Sequence, residues 1–196
     1  MGTIVISQNV TLDGVVEDPT GDEGSARGGW FEQYMSEDRP QWAATEYAEA
    51  IAADALLMGR RTDAYFGRRW NAAPGDWADR LRALPKYVVS ATLPSPSWIN
   101  STVLRGDPVE EVSRLKQQVA GEIVVYASRQ LVRALLNAGL VDEIRLTVFP
   151  VVLGAGARLF DDLDRSTALR LLDAKPLGTG LSVLSYAVVP SECPPE

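Results

Sequence analysis

Ala55-Leu56-Leu57-Met58-Gly59-Arg60-Arg61-Thr62 decides the reading of this chain. Its first four residues are apolar on both faces, as a central strand covered on both sides requires. Gly59 then lets the backbone turn and a ligand come close. Thr62 is placed to cap a following helix, whose first N–H groups are free to meet an anion. Arg60 and Arg61 add fixed positive charge beside them. Together these residues read as a phosphate clamp at the carboxyl end of a strand, where open α/β sheets bind ligands. The same eight residues also fit a plain strand–turn–helix with two solvated arginines.

On the amino-terminal side, residues 3–8 are rich in β-branched residues and predict a first strand. Asp13-Gly14 is a turn signal that leaves a carboxylate at the tip of that strand. Residues 17–29 form a polar, glycine-rich loop of the length that lids and binding loops have. Trp30, Phe31, Tyr34 and Met35 follow and suit a pocket wall, core or a dimer contact. Residues 42–53, alanine-rich with Glu46 and Glu49, predict a helix.

Beyond the clamp, residues 65–70 and about 76–84 predict short helices, and 86–90 a third strand. The hydroxyls of Ser90 and Thr92 lie past its end, where they suit either a ligand or an ordinary turn. A short strand at 102–104 precedes a helix opened by Asp107-Pro108 and running to about residue 119. Residues 122–126 read as a buried strand. Ser128 is then expected to cap a helix with Leu131, Val132, Leu135 and Leu136 on one face. A strand at 143–149 follows. Gly154-Ala155-Gly156-Ala157 is not a dinucleotide fingerprint, because Leu159 stands where the third glycine belongs. Strands at 169–172 and 181–189 predict a final hairpin. The order specifies an α/β protein: a mixed, mostly parallel central sheet with helices on both faces and a C-terminal antiparallel hairpin. It reads as a single domain over 1–189 with a tail at 190–196.

Composition narrows the function. A net charge of -7 argues against a general nucleic-acid or anionic-membrane binder. The chain has no histidine, which excludes histidine triads, histidine acids and the usual zinc sites, and no metal site is expected. Its one cysteine, Cys193, forms no internal disulfide. No apolar run reaches the ~20 residues of a membrane helix, and the start lacks a signal-peptide pattern, so a cytoplasmic protein is expected.

Five segments in order carry a family resemblance. They are Thr11-Leu12-Asp13-Gly14, Leu57-Met58-Gly59-Arg60-Arg61-Thr62, Tyr87-Val88-Val89-Ser90, and Ile123-Val124-Val125-Tyr126-Ala127-Ser128. The fifth joins Leu140-Val141-Asp142-Glu143 to Phe149-Pro150-Val151-Val152-Leu153-Gly154-Ala155-Gly156. The chain resembles the dihydrofolate reductase-like superfamily, and within it the single-domain relatives of the C-terminal reductase domain of the bifunctional riboflavin-biosynthesis enzyme. The resemblance implies NADPH, a small-molecule substrate and a homodimer. It places the cofactor phosphates on Gly59, Arg60, Arg61 and Thr62 and the adenosine end near Ser90 and Thr92. The pyrophosphate falls at the start of the helix from Ala127, Ser128 and Arg129 through Gln130 and Leu131. Leu12, Asp13 and Gly14 would border the nicotinamide and the substrate.

Two departures follow from the same resemblance. Family members usually carry glycines where this chain has Ala127-Ser128-Arg129. In folate reductases an acid on the first helix binds the pterin, and here that position falls nearer Ala43 and Ala44, with Glu46 beyond it. The expected activity is an NADPH-dependent reductase of a small heterocyclic (pterin- or pyrimidine-like) or carbonyl substrate, with Asp13 as the proton source. The alternative is a nucleotide-binding or dimeric scaffold protein without turnover.

Overall fold

The computed structural model describes residues 1–189, so the expected tail at 190–196, with Cys193, lies outside the described residues. Six strands run parallel: β1 (Thr3–Thr11), β2 (Ala55–Gly59), β3 (Lys86–Val89), β4 (Ser101–Leu104), β5 (Glu122–Tyr126) and β6 (Glu143–Phe149). β7 (Leu169–Leu177) and β8 (Leu181–Val188) add an antiparallel hairpin at one edge. The strand order is β4-β3-β2-β5-β1-β6-β8-β7. β5 therefore slots between β2 and β1, and the carboxyl ends of these three strands lie side by side.

The helices are α1 (Trp30–Met35), α2 (Arg39–Ala52), α3 (Arg60–Trp70), α4 (Asp76–Ala83), α5 (Pro108–Gln118) and α6 (Arg129–Asn137). Alternation along the strands decides which face each helix covers. Ile4, Ile6, Leu57, Ile123 and Val125 pack with Val112 and Leu115 of α5 and with Leu131, Val132, Leu135 and Leu136 of α6. Val5, Leu56, Met58, Val88 and Val124 point the other way, onto Ala50 of α2 and Leu81 of α4. Both faces of the central strands are thus dry, as their unbroken apolar runs require. No helix among the described residues is long and apolar enough to cross a membrane.

The expected architecture stands, with local corrections. β1 extends three residues further than predicted, to Thr11, and β7 reaches Leu177. α3 begins at Arg60 rather than at residue 65, so both arginines sit in its first turn. Trp30, Phe31 and Met35 are buried against Phe149, Leu177, Leu181 and Val183. Trp30, Phe31 and Met35 are thus core, while Glu32 and Gln33 are exposed and Tyr34 is half-buried. The 17–29 loop is pinned as well: the buried Asp18 carboxylate accepts the N–H groups of Glu23 and Ser25 at 3.0 and 2.9 Å.

Candidate functional site: the mouth at the ends of β1, β5 and β2

Gly59 ends β2 in an extended conformation, φ −88° and ψ 166°, so glycine is not needed for the turn itself. What glycine leaves is room. A Cβ there would meet only Ser128 Oγ, at 3.9 Å. The Gly59 N–H donates to Ser128 Oγ at 2.9 Å, and Ser128 Oγ donates to Thr62 Oγ1 at 2.9 Å. The two hydroxyls therefore bond each other across the sheet and cap neither helix, contrary to the expectation for both. Among the described residues no side chain caps α3 or α6. The first N–H groups of both helices are left for another acceptor.

Ala127 and Ser128 join β5 to α6 in left-handed conformations, with φ 47° and 55°. This is the geometry that glycine adopts freely and that costs other residues about 1–2 kcal/mol each. Ala127 and Ser128 thus hold a backbone that glycine would adopt without that cost. Gln8 Nε2 holds the turn by donating to the Ala127 carbonyl at 2.7 Å.

Arg60 and Arg61 are exposed, Arg129 is half-buried, and none has an ion-pair partner among the described residues. Each stands in the first turn of its helix, where the dipole disfavours a cation by about 0.3–1 kcal/mol. Three guanidinium groups and two uncapped helix starts around one glycine fit an anion with several negative charges. Ser90 lies one strand over, past β3. Its Oγ accepts from the N–H groups of Thr92 at 3.4 Å and Leu93 at 3.1 Å, which is turn chemistry. Thr92 is exposed.

At the end of β1, Leu12 is 67% exposed and Gly14 has φ 86°. The Asp13 carboxylate accepts from the Thr11 hydroxyl at 2.7 Å and from the Gly154 and Leu153 N–H groups at 2.8 and 3.1 Å. Arg158 approaches it at 3.5 Å. Desolvation pushes its pKa up, but the hydrogen bonds from Thr11, Gly154 and Leu153 outweigh this and lower it to about 2. Asp13 is therefore ionised and saturated with donors at neutral pH. It ties the 11–15 turn to the 153–158 loop, an environment that argues against the role of proton source expected for it.

A second polar group lies on the α2 side of the sheet, of which the sequence singled out only Glu46 and Glu49. Trp42 donates to Asn9 Oδ1 at 2.9 Å, which sets the sheet-facing side of α2. Glu46 and Glu49 follow on that side, one and two turns on. Arg145 Nη1 meets Glu49 at 3.3 Å, while Glu122 and Glu143 bind the same guanidinium at 2.8 and 2.7 Å. Ser7 stands opposite Tyr126 on one neighbour and Arg145 on the other, so all three side chains face α2 together. Burial, and then the charge of Glu49, raises Glu46 to about 8. Burial raises Glu49 too, against the pull of Ser7, Arg145 and Tyr126. Burial and the two glutamates raise Tyr126. The ring of Phe66 packs at 6.3 Å from that of Tyr126, and Trp77 at 5.8 Å from Trp42. Beyond the two glutamates, the only sign in the sequence was Ser7, Tyr126 and Arg145 interrupting apolar strands, and their alignment depends on the strand order. A cleft of about 380 Å³ lies further along α3, lined by Asp22, Tyr65, Arg68 and Arg69.

Comparison with known proteins agrees with this geometry. The uncharacterized protein YyaP of Bacillus subtilis (strain 168) is 29% identical over 189 residues, 93% of each chain. A Shewanella sp. PV-4 protein named for riboflavin biosynthesis superposes with a TM-score of 0.73 at 19% identity, over 96% of this chain and 99% of that one. A diaminohydroxyphosphoribosylaminopyrimidine deaminase/5-amino-6-(5-phosphoribosylamino)uracil reductase of Thermotoga maritima superposes with a TM-score of 0.63 at 12% identity, over 96% of this chain and 57% of that one. At these identities the two superpositions establish the shared fold. The RibD C-terminal domain family matches residues 3–183, and the chain belongs to that family.

Proposed function

We propose that the protein is an NADPH-dependent reductase of a small heterocyclic, pterin- or pyrimidine-like, or carbonyl substrate. The observation that carries this reading is the mouth around Gly59. There Arg60, Arg61 and Arg129, without ion-pair partners among the described residues, stand in the first turns of two helices that have no side-chain caps, beside Gly59. Arg60 and Arg61 would take the ribose 2′-phosphate as charge-assisted donors. Arg129 and the N–H groups of Gln130 and Leu131 would take the pyrophosphate. Ser90 and Thr92 stand at the adenosine end, and the exposed Leu12 with Gly14 borders the nicotinamide. When bound, NADPH supplies the hydride; the chain's task is to hold ring and acceptor together and exclude water.

Membership of the RibD C-terminal domain family supports a pyrimidine reductase-like activity. A binding protein without turnover drew its support from the missing glycines. Ala127 and Ser128 hold the left-handed backbone that glycine would adopt, so the difference from glycine lies in their side chains rather than in the turn.

Titrating NADPH and NADH against the fluorescence of the tryptophans tests the reading. Arg60→Ala or Arg61→Ala is expected to weaken NADPH by tenfold or more, on the order of one charge-assisted bond of about 1.5–3 kcal/mol, and to change NADH little. Equal losses for the two cofactors would refute the assignment of these arginines to the 2′-phosphate.

A further inference from the structure

Beyond its first turn, where Arg60 and Arg61 stand exposed, α3 grips another part of the chain. Asp63, Gly67 and Asn71 follow at four-residue spacing, which aligns them along one side of the helix. All three meet the same short segment, 97–99. The Asp63 carboxylate accepts from the Ser97 N–H at 2.6 Å and from the Trp98 N–H at 3.0 Å. Gly67 lets the helix lie against that backbone: a Cβ there would stand 2.9 Å from the Ser97 carbonyl carbon and 3.0 Å from the Trp98 nitrogen. The Asn71 side chain donates to the Ser97 carbonyl at 2.9 Å and accepts from the Ile99 N–H at 3.1 Å. Asp63 is fully buried and has no ion-pair partner among the described residues. Lys86 is the buried cation on that side, 4.8 Å over the Trp98 ring, but it donates to the Leu84 and Arg82 carbonyls. A carboxylate buried without a bonded cation is costly, and it survives here through two N–H groups of consecutive residues. An apolar contact would let helix and segment slide; this one fixes a single register between them.

The gripped segment continues from Ser90 and Thr92. Gly59 of β2 stands opposite Val89 of β3, so Arg60 and Ser90 leave the sheet side by side. The chain then turns on the Ser90 hydroxyl, is held at the Pro94 carbonyl by Arg105 at 2.9 Å, and reaches the α3 stripe at Ser97. A ligand whose phosphates sit on the Arg60–Arg61 turn and which extends to the β3 side meets this segment. We propose that Asp63, with Gly67 and Asn71, is a positioning residue for the cofactor: it locks the 90–99 segment to the arginine-bearing helix, so that an adenosine and its 2′-phosphate engage both as one doubly anchored ligand. This rests on the reductase reading above, which puts the adenosine end at Ser90 and Thr92. Asp63 touches neither cofactor nor substrate. It removes relative motion that the two contacts would otherwise lose on binding, and a ligand with two anchors gains its affinity from that preorganisation.

The grip can be read without cofactor. In amide hydrogen exchange, Ser97 and Trp98 are expected to be protected in the wild-type protein and to exchange roughly tenfold faster or more in Asp63→Asn, whose carboxamide turns a donor towards one of the two N–H groups. Unchanged exchange would overturn the grip. Binding is then measured by calorimetry with two probes, adenosine 2′,5′-bisphosphate and pyrophosphate. Asp63→Asn is expected to weaken the bisphosphate by about tenfold or more and pyrophosphate by less than about twofold, because only the first spans both elements. Gly67→Ala wedges the same contact apart without changing a charge and should reproduce that split. Asn71→Ala, at the half-buried end of the stripe, supplies the same comparison should either of the others fail to fold. Folded variants that bind the bisphosphate as the wild type does, or that lose both probes equally, would overturn the positioning role and leave the reductase reading intact. A wild-type protein that binds neither the bisphosphate nor NADPH would instead overturn that reading, with the exchange result still standing.

Discussion

Replacing Ser128 tests the link that holds the mouth together. Its hydroxyl accepts from the Gly59 N–H and donates to Thr62, both at 2.9 Å, with Thr62 buried at 8% exposure. Ser128→Ala removes both bonds and keeps the left-handed backbone at φ 55°. At about 0.5–1.5 kcal/mol per bond, the loss is about 1–3 kcal/mol. For a domain of this size that lowers Tm by roughly 2–12 °C, at about 2–4 °C per kcal/mol. Ser128→Gly removes the same bonds but relaxes the backbone, so it is expected to be about 1 kcal/mol more stable than Ser128→Ala. Thr62→Val breaks only one of the two bonds. Combined with Ser128→Ala it should cost less than the sum of the single changes, by about the value of that shared bond. Urea midpoints with slopes unchanged from wild type give all four values. A Ser128→Ala protein as stable as wild type, or a Ser128→Gly protein less stable than Ser128→Ala, would refute the description of the mouth as a strained turn held by that hydroxyl.

Two further outcomes bear on the loop at β1 and on assembly. The folded-state pKa of Asp13 is depressed to about 2 from an ordinary 3.8, so its contribution to stability is present above about pH 4 and is lost as pH falls through 2. The stability gap between wild type and Asp13→Asn should therefore be widest at neutral pH and close towards pH 2, and a gap constant over that range would refute the clamp. For assembly, we propose the homodimer implied by the resemblance, formed through the edge of β7. Among the described residues that strand pairs only with β8, and it exposes Leu169, Leu171 and Leu172 at 40, 53 and 47%. Light scattering at micromolar concentration should give a dimer that Leu171→Lys dissociates; a wild-type monomer would refute it.

The fold was legible because its signals are local. Unbroken apolar runs at 55–58 and 122–126 mark strands covered on both faces, and Asp107-Pro108 marks a helix start that the structure forms, with the Asp107 carboxylate accepting from Val109 and Glu110. The mouth was legible only in outline. Gly59, Arg60 and Arg61 stand out in sequence, but the bonding of Ser128 to Thr62 spans 66 residues and replaces the local capping that each residue's own neighbours favour. The acid cluster on the α2 side was legible only in Glu46 and Glu49, not as a cluster. Ser7, Glu49, Tyr126 and Arg145 come from four elements, and nothing in their spacing shows that β5 lies between β2 and β1. The segment 30–35 left pocket wall, core and dimer contact open, because aromatic residues look alike in sequence whether they close a core or face a partner; Trp30, Phe31 and Met35 are core.

Departures from ordinary local chemistry occur at several places: α2 and α4 also start without side-chain caps, and Asp18, Asn100 and Asp162 also have positive φ. α5 is capped by aspartate, and α6 ends on Gly139 in a left-handed conformation with its N–H bonded to the Leu136 carbonyl, as isolated helices prefer. At 59–62 and 127–129 the preferences fail together. Two helices start without side-chain caps, three arginines stand at dipole ends that disfavour them, and two non-glycine residues adopt left-handed backbone. A chain selected only for stability would lose these features singly, since each costs on the order of 1 kcal/mol and a single substitution removes it. A bound polyanion changes the sign of the first two terms at once and gives the left-handed turn a ligand to cradle. The coincidence of these features in the seven residues 59–62 and 127–129 supports the proposed ligand-binding role of the mouth more than any one of them does.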